Sequence, residues 1–335
     1  MLYAALQDRI LVVRGERRSF CAQTTQWDLT PGLVGAEVLC LDASPEVPSR
    51  VFAGTVDAGL QRSRDAGESW EAVGSFEDRV TAVTVSPHDP ATVWVGTEPS
   101  AVYRSTDAGE NFEKRPGLTE LPGADQWSFP PRPHTHHVRW IEVHPTNPDQ
   151  LAIAIEAGAL VRSADAGATW QPHPESARRD NHTIRSHADA PERLYAAAGD
   201  GYAESTDDGD TWEYPEQGLD HRYVWGLAVD PGDPETVIVS AAKSARRAHR
   251  TDSPESFVYR RDGETDGWVR AMDGLPEPRG TSRAVLAAGD GPGEFLALTN
   301  RGIFRTLDGA RQWNALDVPW SKAYESQVCR GLAVV

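Results

Sequence analysis

Lysine is nearly missing from this sequence. Of 33 basic residues only Lys114, Lys243 and Lys322 are lysines, and the rest are arginines. Cysteine is scarce too: Cys21, Cys40 and Cys329 are odd in number and far apart, which argues against a disulfide framework and a zinc knuckle. No run approaches the roughly 18 apolar residues of a membrane-spanning helix. The opening MLYAALQDRILVVRG has neither a basic leader nor an apolar stretch of secretory length, so the expectation is a cytoplasmic protein. Positive charge is in deficit, with 50 acidic against 33 basic residues and a net charge of −17. Such a surface repels phosphate backbones and anionic lipids, so neither nucleic acid nor a membrane is an expected partner. Abundant acid with little lysine resembles the proteins of salt-loving organisms, in which surface charge serves solvation.

What the chain does have is repetition. Its 335 residues are 39% hydrophobic, enough for a large core. Four segments share the pattern Ser-x-Asp-x-Gly-x-x-aromatic: RSRDAGESW (62–70), RSTDAGENF (104–112), RSADAGATW (162–170) and ESTDDGDTW (204–212). RTLDGARQW (305–313) is a degraded copy with its glycine displaced, and YRRDGETDGW (259–268) is a looser one. In such a segment an Asp side chain accepts backbone N–H groups of its own turn, and glycine permits positive φ. Short β-branched runs joined by Pro/Asp turns precede the copies, as in VTAVTVSPHDPATVWVG and VWGLAVDPGDPETVIVS. Apolar runs of four to seven residues punctuated by turns are strand signals, and no helical period outlasts a turn or two.

The repeated segment resembles the Asp-box, or BNR repeat, of sialidase-like β-propellers, in which it forms the turn between the third and fourth strands of a blade. Repeat layout and size are similar to intracellular BNR proteins described as glycosyl hydrolase-like or photosystem II stability/assembly factor-like. The resemblance implies an all-β propeller. First strands are expected near Val38, Val80, Val138, His182, Val224 and Ser282. The C-terminal VCRGLAVV has the pattern of a first strand, and residues 2–28 that of the strands after it. Joined, 2–28 and 326–335 complete a seventh blade, and the whole chain, 1–335, reads as one seven-bladed β-propeller. Closure of this kind removes exposed sheet edges.

In that architecture the loops leading into first strands, and those between second and third strands, open on one face around the channel. The stretch RPHTHHVRW (132–140) enters a first strand there, and with it come the candidate site residues. Candidate acid–base or nucleophilic groups are His137, His182, His221, Tyr223 and Glu156. Candidate substrate-binding groups are Arg139, Arg222, Arg283, Arg330, Asp200, Asn300, Arg301 and Trp127. His134 reads as an exposed loop residue, and His88 and His144 as turn residues on the far face. Imidazoles with a carboxylate suit a divalent transition metal, with His136, His137 and His182 as candidate ligands. A sialidase would need three arginines on the substrate carboxylate, for which Arg139, Arg283 and Arg330 are available, and a tyrosine paired with a glutamate. The Phe/Tyr-Arg-Ile-Pro motif of that family is absent, however. The expected function is binding of an anionic small molecule or saccharide at the channel mouth, with glycoside hydrolase-like or lyase-like chemistry. The alternative is a non-catalytic scaffold for a partner protein, to which Arg246, Arg247 and Arg250 would contribute a basic patch.

Overall fold

The computed structural model describes residues 1–17 and 25–335, so Cys21 and part of the expected first blade, residues 18–24, lie outside the described residues. Seven antiparallel sheets stand in a ring. Blade 2 is the simplest to follow, with strands Val38–Ala43, Val51–Thr55, Leu60–Ser63 and Glu71–Val73 running from the inside outward. Blade 3 repeats it with Arg79–Val85, Val93–Glu98, Val102–Ser105 and Glu113–Lys114. Blades 4 and 5 begin with Val138–Val143 and Asn181–His187 and have three full strands each, the fourth reduced to single bridges at Gln171 and Glu213. Blade 6 begins with Tyr223–Asp230 and blade 7 with Val285–Ala288. Blade 1 has the order Cys329–Val334, Leu2–Leu6, Arg9–Arg17, Thr25–Gly32, so the last strand of the chain is the innermost strand of the first blade. Each inner strand packs against the next, and the inner strands of blades 7 and 1 close the ring. The one α-helix among the described residues is Ala245–His249.

The Ser-x-Asp segments build the turns between third and fourth strands, and their chemistry explains their composition. In Arg104–Phe112 the Asp107 carboxylate accepts from the Asn111 backbone N–H at 2.9 Å and the Asn111 side-chain amide at 2.8 Å, while Ser105 Oγ accepts from Gly109 N–H at 2.9 Å. Two consecutive residues carry positive φ, 60° at Ala108 and 86° at Gly109. The glycine is there because a side chain at φ near 86° is strained. The displaced glycine of the degraded copy does the same work in reverse order, with Gly309 at 70° and Ala310 at 63°. Three of the four full copies tie back to the turn between strands one and two of their own blade, for example Ala66 N–H to Ser49 O at 2.8 Å, and the fourth ties back to Glu192 near the start of strand two. Arginines stitch neighbouring blades: Arg62 of blade 2 donates to Ala108 O of blade 3 at 2.6 Å, and Arg162 of blade 4 to Asp208 O of blade 5 at 2.8 Å.

Between blades the core is apolar and tightly filled, as around Trp94, Val138, Ile153 and Val161, all buried. At Gly96 of blade 3 a Cβ would stand 2.4 Å from Val138 Cγ1 of blade 4, so the absence of a side chain sets how closely these blades approach. Inner strands run from one face of the ring to the other, and each of the seven blades brings a residue at, or within two positions of, its inner-strand start to the same mouth. That is what positions the candidate site.

Candidate functional site

The mouth of the channel is a cavity of about 530 Å³. Inner-strand starts deliver Arg79, Arg139, Tyr223, Arg283 and Arg330 to it, and the loop after the second strand of blade 4 delivers Glu156. Two long connections cover it. Residues 115–137 bring Phe129, Pro130, Pro131 and Arg132, and the short helix with the residue after it brings Arg246, His249 and Arg250. Seven arginines therefore line the mouth, against Glu37, Glu156 and Asp180. On a chain of net charge −17 this is a local reversal of sign, and a walled positive cleft concentrates anions.

Several of these charges are held by protein. Arg132 makes a bidentate pair with Glu98 at 2.7 and 2.5 Å, and Arg250 pairs with Asp252 at 2.9 Å. Arg283 is different. It is 1% exposed, its guanidinium lies 4.0 Å from the Trp225 ring centroid, and only Nε has a partner, His249 Nδ1 at 3.0 Å. Both terminal nitrogens, Nη1 and Nη2, are buried with no hydrogen-bond acceptor. Arg139 stacks on the same Trp225 at 4.6 Å, and its Nε and that of Arg330 are buried and unpartnered too. Burial first, then the charges of Arg330 and Arg139, push the Arg283 pKa down to about 9. Buried polar groups are rarely left unpaired, so convergent orphan donors around one cavity describe an anion that fits between them. His249, pushed down to about 2 by burial and by Arg283, is neutral. Because its Nδ1 accepts from Arg283, its Nε2 carries the proton and donates to Tyr223 Oη at 2.8 Å. The hydroxyl hydrogen of Tyr223 is thereby left for the cavity.

At the edge of the arginine field lies a carboxylate pair. Glu156 Oε2 accepts from His137 Nε2 at 3.0 Å and sits 3.7 Å from Arg139 Nε. Burial raises the Glu156 carboxyl, but the His137 hydrogen bond and the positive charges that face it, Arg139 among them, outweigh it and take the pKa down to about 2. Asp180, from the loop before the inner strand of blade 5, accepts from the Ala157 backbone N–H at 3.0 Å. Burial, chiefly, and the negative charge of Glu156 raise its carboxyl. His182 is 1% exposed and bonds the Val224 carbonyl through Nδ1 at 2.8 Å, with Nε2 turned to Asp180 Oδ1 at 3.6 Å.

The residues singled out from sequence fall into two groups. His137, Glu156, Tyr223, Arg139, Arg283 and Arg330 line the mouth together, and His182 stands behind Glu156 and Asp180. The others stand elsewhere. His221 stacks on Phe257, with centroids 4.0 Å apart, and bonds Tyr259 Oη at 2.6 Å. Arg222 pairs with Glu216 at 3.2 Å and Asp200 with Arg178 at 2.8 Å, both outside the mouth. Arg301 pairs with Glu325, and Asn300 braces a loop by accepting from Ser282 N–H at 2.8 Å. Trp127 is buried in the core of blade 4, its ring 5.6 Å from that of His136; Phe129 is the aromatic of that loop that reaches the cavity. His136 makes no group with His137 and His182. Sequence reasoning did not single out Asp180, Trp225 or His249. Asp180 immediately precedes Asn181 and His182 in RRDNHTIRSH, so the rule that found His182 had it within reach. His249 comes from a helix that the repeat does not contain.

Comparison with known proteins extends the description of the fold. No family model matches the chain, and no curated protein matches it. Among solved structures it is similar to the GH74 xyloglucanase from Xanthomonas campestris, with 18% identity and a TM-score of 0.64 over 84% of this chain and 45% of that one. An ancestral GH74 enzyme matches with 18% identity and a TM-score of 0.63, over 82% of this chain and 36% of that one. YCF48 bound to D1 peptide matches with 18% identity and a TM-score of 0.58, over 84% of this chain and 81% of that one. The chain thus spans less than half the length of the GH74 enzymes. At these identities the likeness is one of fold.

Proposed function

We propose that the channel mouth binds an anionic saccharide, its carboxylate held by Arg283 together with Arg139 and Arg330, with Glu156 and Asp180 at the reactive edge. The observation that carries the reading is the buried guanidinium of Arg283 with two unpartnered nitrogens. A carboxylate supplies the planar, bidentate acceptor that such a fork matches. Phe129 and Tyr223 give the apolar surface on which a sugar ring stacks, in keeping with ligand sites that combine apolar walls and a few convergent polar groups. The GH74 neighbours, glycoside hydrolases in name, support a saccharide on this fold. Paired carboxylates are the groups that glycosidic-bond chemistry employs.

The test is calorimetric titration with galacturonate oligosaccharides and, in parallel, neutral xyloglucan oligosaccharides, in chelator. Uronate binding is expected, with Arg283→Met weakening it by about 10- to 100-fold, since a hydrogen bond to a charged group contributes about 1.5–3 kcal/mol. The variant should melt no lower than the parent, because it removes an unpaired buried charge. Equal affinity for neutral and anionic sugars, or unchanged binding by Arg283→Met, would overturn the proposal. A second reading, docking of an acidic partner segment, is favoured by the exposed rim arginines Arg247 and Arg250 and by the peptide-bound neighbour YCF48. It predicts that Arg247→Ala, outside the cavity, disturbs binding as much as Arg283→Met.

A further inference from the structure

Glu156, Asp180 and His182 each present one ligand atom within 4.8 Å of the other two. Among the described residues they form the one group of three or more His, Cys, Asp or Glu with that geometry. We propose that they hold a divalent first-row transition ion of the Mn²⁺ or Zn²⁺ class, a site independent of the anion contacts of Arg283.

The imidazole carries the argument. A backbone carbonyl only accepts, so the 2.8 Å contact between His182 Nδ1 and Val224 O means that Nδ1 bears the proton. In the neutral ring Nε2 then carries a lone pair; the residue is 1% exposed, and Nε2 faces Asp180 Oδ1 at 3.6 Å, too far for a hydrogen bond. A lone pair facing Asp180, with Glu156 alongside, gathers three acceptor atoms within 4.8 Å of one another with no donor between them. A cation between them turns that repulsion into coordination. Metal-bound histidines hold their other nitrogen on a carbonyl or carboxylate in this way, which fixes the tautomer that can ligate.

The carboxylates are equally prepared. Glu156 uses Oε2 for His137, and Asp180 uses Oδ1 for the Ala157 N–H. Oε1 and Oδ2 accept no hydrogen bond from the described residues. The Asp180 side chain has its place because residue 199 is glycine, where a Cβ would stand 1.9 Å from Oδ2. Ligand atoms around one ion at about 2.1 Å lie roughly 3.4–4.2 Å apart, so the three need to close by only a fraction of a side-chain rotation. Two carboxylates against the single nearby Arg139 leave the site net negative, though it borders a positive mouth. Two oxygens and one imidazole nitrogen suit Mn²⁺ or Zn²⁺ better than a thiolate-seeking ion. Three protein ligands leave a position open toward the cavity.

The test is titration of chelator-treated full-length protein with MnCl₂ and separately with ZnCl₂. About one equivalent should bind, and Asp180→Asn and His182→Gln should each weaken binding at least tenfold while melting in chelator as the parent does. Should a variant fail to fold, pulsed EPR of Mn²⁺ on the unaltered protein reads the same point through the ¹⁴N coupling of a ligating imidazole. No saturable binding up to the millimolar range, affinity unchanged in both variants, or a Mn²⁺ signal without nitrogen coupling would overturn the proposal. Uronate binding measured in chelator tests the arginine site alone, so either site can fail without the other.

Discussion

The Ser-x-Asp turns and the channel mouth are polar clusters of the same chain, built on opposite principles. In the turns the Asp and Ser side chains are fully engaged: Asp107 collects three hydrogen bonds, two from Asn111 and one from Ser105 Oγ, and Ser105 in turn accepts from Gly109 N–H. In the mouth, Arg283 keeps two nitrogens unpaired, and Arg139, Arg330 and His137 keep one each. A buried donor without an acceptor is costly. Single nitrogens such as Arg104 Nε and Arg162 Nε are unpaired elsewhere. Among the described residues, only at the mouth do unpaired nitrogens of three arginines, Arg139, Arg283 and Arg330, converge on one cavity, and that convergence marks where a ligand completes them. The turns repeat because they serve the frame. The mouth does not repeat, because each blade contributes a different residue to a single asymmetric site.

Breaking the frame should cost most. Gly96→Ala pushes a Cβ to within 2.4 Å of Val138 Cγ1 across a blade interface, and overpacking of this kind destabilises by about 1–3 kcal/mol. Denaturant unfolding at fixed salt measures it; a loss smaller than the spread between replicates would show that the blades shift apart freely. The turns should cost less and carry a pH signature. Hydrogen bonds from Asn111 and Ser105 hold the Asp107 carboxyl down to about 2, below its usual value of 3.8. A depressed carboxyl contributes stability that is complete above about pH 4 and is lost as the pH falls toward 2. Asp107→Asn should therefore lower the melting temperature by a few degrees at pH 6, with the deficit closing near pH 2. A deficit of constant size would trace it to steric disturbance instead of charge.

The same contrast decides what could be read from the sequence. The blades were legible because their signals are local: the Ser-x-Asp pattern, the Pro/Asp turns and the alternation of apolar runs are each written within about ten residues. Joining VCRGLAVV to the N-terminal strands needed only the observation that each half lacked what the other supplied, and the structure pairs Ala4 with Leu332 and Leu2 with Val334. One start was misplaced: the ladder of blade 7 begins at Val285, because Ser282 N–H is taken by the Asn300 side chain. The site was half legible. Inner-strand starts gave His137, Arg139, Tyr223, Arg283 and Arg330, since that position reaches the axis in every blade. The same rule misled at Arg222, one residue before Tyr223, because adjacent residues of an extended segment face opposite ways. His249 lay beyond any repeat argument, on a helix inserted within one blade.

The smallest effect sharpens the comparison most. Arg250 lines the mouth yet spends its guanidinium on Asp252, at 2.9 and 3.1 Å, with both side chains more than half exposed. An exposed pair of this kind adds little to stability. Asp252→Asn should shift the melting temperature by less than about 1 °C and raise affinity for a uronate roughly twofold at low salt, because Arg250 then joins the field around the cavity. The gain should fade as ionic strength shortens the screening length to a few ångströms. Affinity that falls in place of rising would mean that Asp252 holds Arg250 in its working position. The rim would then belong with the paired turns, and the unpaired mouth would end at the wall formed by Arg139, Arg283 and Arg330.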